Sequence, residues 1–165
     1  MGDPRRFDLF ANFIANLVPP AERLTMRVAD VAAGKGYLSW ALRAHGFRNI
    51  VPFEPAPRRG GQVRRLGIRA QNFEPSLAKD FDLIVGMHPD AATDCILAGA
   101  ALHGALAVVC PCCVRPNAWN YWGNGQSRAS WEAHLVARSA EAGLPLQMGR
   151  LKMTGANRIM WGQAR

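Results

Sequence analysis

The stretch Val28–Ser39, VADVAAGKGYLS, constrains this chain more than any other. It reads as a short apolar strand, a glycine-containing turn and the first turn of a helix. Gly34 and Gly36 permit backbone conformations and close approaches that a side chain blocks. A helix opening at such a turn presents N–H groups without partners inside the helix, which suits a nucleotide-like ligand. Asp30 places a carboxylate near the strand end.

Spacing separates this turn from two others. A P-loop needs Gly-x-x-x-x-Gly-Lys-Ser/Thr, and here Lys35 is followed by Gly36. A dinucleotide turn needs Gly-x-Gly-x-x-Gly; Gly34 and Gly36 fill its first two places, but Ser39 stands at the third. A strand-to-helix turn with no ligand is the remaining alternative. Glu54 weighs against it. It follows Gly34 by 20 positions, at the end of the next expected strand. In nucleotide-binding α/β folds an acidic residue there accepts hydrogen bonds from ribose hydroxyls.

The rest of the chain alternates strands and helices. Phe7, Phe10, Ile14 and Leu17 recur at helical spacing and predict a helix over 4–18, with Asp3 as its cap and Pro4 in its first turn. Strands are expected at about 26–30, 49–53, 68–72, 81–87 and 105–110. Helices are expected at about 37–44, up to Leu66, to His103 and over 129–142. Strands at about 146–153 and 158–162 close the chain. The run FDLIVGM at 81–87 is nearly all apolar, as a central parallel strand is. Alternation implies a parallel sheet with helices on both faces. The expectation is one α/β domain over 1–165, with a Rossmann-like, seven-stranded, mostly parallel sheet and a C-terminal antiparallel hairpin. Ligands of such sheets lie beyond the carboxyl ends of the strands. The glycine turn, Glu54, Asn72, His88 and Cys112 all fall at such ends.

Charge and cysteine usage narrow the partners. The 165 residues suffice for a core without staples. Net charge is +8, which favours polyanions, nucleic acid first among them. Cys110, Cys112 and Cys113 crowd into four residues and Cys95 stands apart. That layout suits neither a disulfide framework nor the separated ligand pairs of a zinc site, so reduced thiols and no metal are expected. No apolar run reaches the roughly 18 residues of a membrane span, and MGDPRRFDLF lacks a signal core. A cytoplasmic protein with no membrane partner is expected.

The pattern Asp-x-Ala-x-Gly-x-Gly at 30–36 resembles motif I of class I S-adenosylmethionine (SAM) methyltransferases, with Ala32 in place of the usual first glycine. The closing hairpin is similar to theirs as well. Taken with GMHPDAATD at 86–94 and VCPCC at 109–113, DVAAGKGYLS resembles the eukaryotic tRNA ribose 2′-O-methyltransferases of the acceptor stem and related methyltransferase-like proteins. The likeness covers roughly residues 28–125. Pro89-Asp90 departs from the tRNA enzymes, and their zinc-finger regions are missing. A separate protein partner that supplies substrate recognition is therefore one expectation.

The resemblance implies SAM as cofactor. It places Asp30, Ala32, Gly34, Gly36, Tyr37 and Leu38 around it at motif I, and Glu54 at the ribose. Asn72 and Phe73 fall near the adenine, and Gly86 and His88 at the tip of the 81–87 strand. His88 and Asp90 are the catalytic candidates; His88 can instead order its loop, and Asp90 can simply cap the next helix. Lys35, Arg58, Arg59, Cys112, Arg115, Trp119, Tyr121 and Trp122 are the substrate candidates. Arginines interleaved with aromatics suit phosphate contact and base stacking, although the aromatics can equally cover the core. The implied activity is methyl transfer to RNA. The alternatives are a protein or small-molecule acceptor, and a SAM-fold nucleic-acid-binding subunit without catalysis.

Overall fold

The computed structural model describes residues 3–57, 66–119 and 127–164. Among them six strands form one sheet in the order β2-β1-β3-β4-β6-β5. These are β1 (Arg27–Val31), β2 (Asn49–Phe53), β3 (Leu83–Met87), β4 (Leu106–Cys110), β5 (Gln147–Arg150) and β6 (Arg158–Gln163). The first four are parallel. β6 runs antiparallel to β4, and β5 antiparallel to β6. The helices are α1 (Arg6–Leu17), α2 (Tyr37–Ala44), α3 (Thr93–His103) and α4 (Arg128–Glu141).

Period-two alternation in the central strands builds two cores. Val28, Leu83, Val85 and Val108 face α1 and α2, where they meet Phe10, Ile14, Leu38 and Leu42. Ala29, Ile84, Ala107 and Val109 face the other way, towards Ile96 and Leu97 of α3 and Trp131 and Leu135 of α4. All five residues of β3 are buried, which is why that run carries no polar alternation. Each fully buried large side chain contributes about 1.5–3 kcal/mol.

The seventh strand, expected at 68–72, is reduced to a single bridge between Arg69 and Phe53. Arg69, Ala70 and Gln71 are all exposed, so the segment has no apolar face to hold against the sheet. Gln71 N–H turns back to Arg69 O at 2.9 Å and ends the pairing. At the N-terminus the helix starts at Arg6 rather than residue 4. Asp3 does not cap it at the expected place but accepts from the Arg5 N–H at 2.9 Å.

The sheet order fixes where a ligand can sit. The chain leaves β1 outward to β2, then crosses back to β3 on the other side of β1. The carboxyl ends of β1 and β3 thus diverge at a switch point, and a crevice opens there.

Candidate functional site

The crevice holds two adjoining cavities. One, of about 680 Å³, is lined by Ala32, Gly34, Lys35, Tyr37, Glu54 and His88, with Arg6 and Phe7 of α1 on its rim. The other, of about 220 Å³, lies against Phe53, Asn72, Phe73, Pro89, Ala92 and Asn117. Ala32, Glu54 and Asp90 belong to both walls.

The glycine turn is held at both ends. Ala33 N–H donates to Phe53 O at 2.9 Å, which ties the turn to the end of β2. Gly34 N–H donates to Glu54 Oε2 at 2.9 Å, while Glu54 Oε1 accepts from Ala56 N–H at 3.3 Å. A carboxylate offers about four acceptor positions, so Glu54 keeps capacity for further hydroxyl donors. A Cβ added to Gly34 would meet nothing within 4 Å, so the space beside the turn is open.

Three non-glycine residues lie in the left-handed region: Ala32 at φ 56°, His88 at φ 57° and Asp90 at φ 47°. All three line the crevice, at the carboxyl ends of β1 and β3. The conformation costs a non-glycine residue about 1–2 kcal/mol, and such strain concentrates at functional sites. At Ala32 it explains why the resembling motif places glycine there.

His88 is half-buried, and its Nε2 lies 2.8 Å from Ala156 O in the loop before β6. A carbonyl only accepts, so Nε2 carries the proton in this contact and Nδ1 is left as the proton acceptor. Its backbone N–H donates to Cys110 O at 3.0 Å. Asp90 is exposed and accepts from two thiols, Cys112 Sγ at 3.1 Å and Cys113 Sγ at 3.2 Å. Burial pushes the Asp90 carboxyl up, but the thiol bonds and the charge of Arg115 outweigh it and hold it below its ordinary value. Burial and the neighbouring carboxylate push the Cys112 thiol up to about 12, so it is no thiolate nucleophile. Asp90 is not the cap of α3: a short 3-10 turn, Asp90–Ala92, intervenes, and the residue at the cap is Ala92.

Several expected site residues do other work. Asp30 is 1% exposed and lines neither cavity. Its Oδ2 accepts from Ser39 N–H at 3.0 Å and from Ser39 Oγ at 2.6 Å, so it caps the first turn of α2 from inside the sheet. Burial pushes its carboxyl up to about 7 despite those bonds. Leu38 is buried in the core between sheet and helices. Gly36 opens α2 at φ 83°, where a Cβ would run into Leu66. Gly86 lies beneath Ile96 and Pro89, and a Cβ there would stand 2.6 Å from Ile96 Cδ1. Its role is close packing of α3 on β3.

Phe73 is buried edge-to-face against Phe53 at 5.3 Å and walls the smaller cavity, and Asn72 stands exposed beside it. Trp119 is buried in the α3–α4 core, not presented for stacking. Arg115 is exposed. Arg58, Arg59, Tyr121 and Trp122 lie outside the described residues.

Sequence reasoning missed two features. Asp94 is fully buried and accepts from Asn117 N–H at 2.6 Å and Trp119 N–H at 2.9 Å, pinning the loop after β4. Only its position, facing that loop across α3, reveals this. The other is the contact of Phe7 with Tyr37, stacked at 5.5 Å on the rim of the larger cavity.

No protein-family model matches the chain. No curated protein matches it either. Solved structures do. The chain is similar to a sugar N-methyltransferase from Streptoalloteichus sp, with TM-score 0.60 and 15% identity over 96% of this chain and 88% of that one. It is similar to magnesium protoporphyrin IX methyltransferase from Synechocystis with bound SAM, with TM-score 0.61 and 12% identity over 97% of this chain and 80% of that one. It is also similar to the antibiotic-resistance methyltransferase Kmr, with TM-score 0.54 and 15% identity over 92% and 93%. At such identities the shared property is the class I methyltransferase fold.

Proposed function

We propose that this chain transfers the methyl group of SAM to RNA. The observation that carries the reading is Glu54. Its carboxylate stands between the two cavities at the switch point, anchored by the Gly34 amide yet with acceptor capacity to spare. That is the chemistry a ribose diol requires. The smaller, more apolar cavity beside Phe73 and Asn72 suits an adenine. The larger one, with Gly34, Lys35 and Tyr37, suits an amino-acid tail. The open space beside Gly34 fits the cofactor.

When bound, SAM supplies a methyl group activated on a sulfonium. Methyl transfer is a displacement, so this chain's share is positioning, exclusion of water and a route for the acceptor's proton. His88 suits that route through Nδ1, with Nε2 held by Ala156 O. The carboxylates of Glu54 and Asp90 on the same wall favour a cationic cofactor.

RNA as acceptor is supported by the net charge of +8 and by Arg6 and Lys35 on the larger cavity, with Arg115 exposed near Asp90. The finer reading is a ribose 2′-O-methyltransferase of the tRNA acceptor-stem type, for which the convergence of Lys35, His88 and the Cys112–Cys113 pair on one sheet edge speaks. A protein partner that presents the RNA fits the small size of the domain. The cytoplasm is the proposed location, consistent with four free cysteines; no described helix is long and apolar enough to cross a membrane. One observation favours a protein or small-molecule acceptor instead: burial of Trp119 removes one of the expected stacking aromatics.

Calorimetry with SAM and with NAD tests the cofactor, and transfer of tritiated methyl into fractionated RNA and protein tests the acceptor. Glu54→Ala should weaken SAM binding by about 1–3 kcal/mol, the cost of unpaired polar groups. Saturable NAD binding without SAM binding overturns the reading. Label in protein alone moves the acceptor to the second class.

A further inference from the structure

The geometry points to a site for a thiophilic divalent cation, zinc or one of its class, at Asp90, Cys112 and Cys113. The three ligand atoms lie within 4.8 Å of one another. Cys112 Sγ and Cys113 Sγ are 3.6 Å apart, and each is within 3.2 Å of Asp90 Oδ1. A tetrahedral zinc with Zn–S near 2.3 Å and Zn–O near 2.0 Å sets its sulfurs about 3.8 Å apart and its sulfur–oxygen edges about 3.5 Å. The side chains already stand within a few tenths of an ångström of those edges. Two sulfurs and one carboxylate form a donor set that selects zinc-like cations over magnesium or calcium.

The convergence is built into the fold. Consecutive side chains on an extended strand point to opposite faces. Here β4 ends at Cys110, and past Pro111 both thiols turn to the same carboxylate. Arg128 donates to Cys112 O at 2.7 Å, and Asp94 holds the far end of the loop at Asn117 and Trp119. From the other side Asp90 meets the thiols out of the left-handed region, with Thr93 Oγ1 donating to its backbone O at 3.1 Å. No lysine or arginine is ion-paired to Asp90 among the described residues.

Three protein ligands leave a fourth position, the arrangement of a zinc site open to water or substrate. Asp90 belongs to the walls of both cavities, so the cation stands beside the crevice. Binding releases the two thiol protons to solvent and changes no oxidation state. The site stands on its own ligands and does not depend on SAM as the cofactor.

The test uses the whole chain, reduced with a phosphine and stripped with a chelator, then titrated with Zn²⁺ against a chromogenic competitor and separately with Co²⁺. One equivalent should bind, with a thiolate-to-cobalt charge-transfer band. Affinity should fall at least about a hundredfold in Cys113→Ser and about tenfold or more in Asp90→Asn, while Cys95→Ser keeps it, since loss of even an outer partner costs 10–100-fold. Equal affinity in the Cys112→Ser/Cys113→Ser variant, or no thiolate band, overturns the proposal. Should a serine variant unfold, the native chain decides. Zn²⁺ must slow alkylation of Cys112 and Cys113, and unchanged rates overturn the site. SAM calorimetry on the stripped chain reads the cofactor separately.

Discussion

Replacing Asp30 by asparagine should flatten the pH dependence of stability between pH 5 and 8. Asp30 is buried among apolar strands, and its carboxyl is pushed up to about 7 from 3.8, by burial first, with the Ser39 bonds opposing and Glu54 adding repulsion. A folded-state value above the unfolded one means that folding favours the protonated form. The stability is complete below pH 4 and is lost as pH rises through about 7. At about 1.4 kcal/mol per pH unit, the rise from 3.8 to about 7 sets a ceiling of about 4 kcal/mol. Relaxation and water entry reduce that to about half, so about 2 kcal/mol is the working figure. Asparagine keeps an oxygen for Ser39 N–H and Oγ but carries no charge. His134 opposes the trend, since burial lowers its pKa and costs stability as pH falls, but it does so in both chains and cancels in their difference. Asp90 and Asp82 are held below the ordinary carboxylate range and act below this window. Urea unfolding of both proteins at pH 5, 6, 7 and 8 reads the effect. The native chain should lose stability towards pH 8, and Asp30→Asn should become the more stable of the two there. Parallel curves would refute a buried carboxylate that ionises at the expense of folding.

Ala32→Gly should raise stability by about 0.5–1 kcal/mol, because relief of the left-handed backbone outweighs the added freedom of the unfolded chain; a lower melting temperature would contradict the strain at φ 56°. Trp119→Ala should cost about 3–5 kcal/mol in chemical denaturation, as removal of a buried ring does, and a loss under 1 kcal/mol would place the indole outside the core. His88→Ala should cut methyl transfer while SAM affinity by calorimetry stays nearly unchanged. Unchanged turnover would leave His88 only its bond to Ala156.

Local signals carried the elements: the spacing of Phe10 and Ile14 gave α1, the unbroken run at 83–87 gave β3, and VADVAAGKGYLS gave the β1–α2 turn. Alternation then implied a parallel sheet, and a parallel sheet implied a crevice at the carboxyl ends, where Glu54 and His88 lie. Each inference used neighbours in sequence or a rule that holds for every sheet of this class.

What failed depended on contacts between distant residues. The 68–72 segment has strand-like residues, but only Arg69 finds a partner on β2. Asp30 lies in the ligand motif, yet its side chain turns inward to Ser39, because a strand residue's face is set by sheet packing. Trp119 follows an arginine and a proline as a surface aromatic does, and Asp94, 25 positions away, draws its backbone into the core. The thiol–carboxylate cluster is the plainest case. Asp90 and Cys112 lie 22 positions apart, and no local spacing brings the carboxylate to the thiol. The sequence by itself determined which residue types stand at the ends of the strands. Only the tertiary structure decided which ends lie side by side, because pairing β3 with β4 brings two tips to within hydrogen-bond reach whatever the length of chain between them.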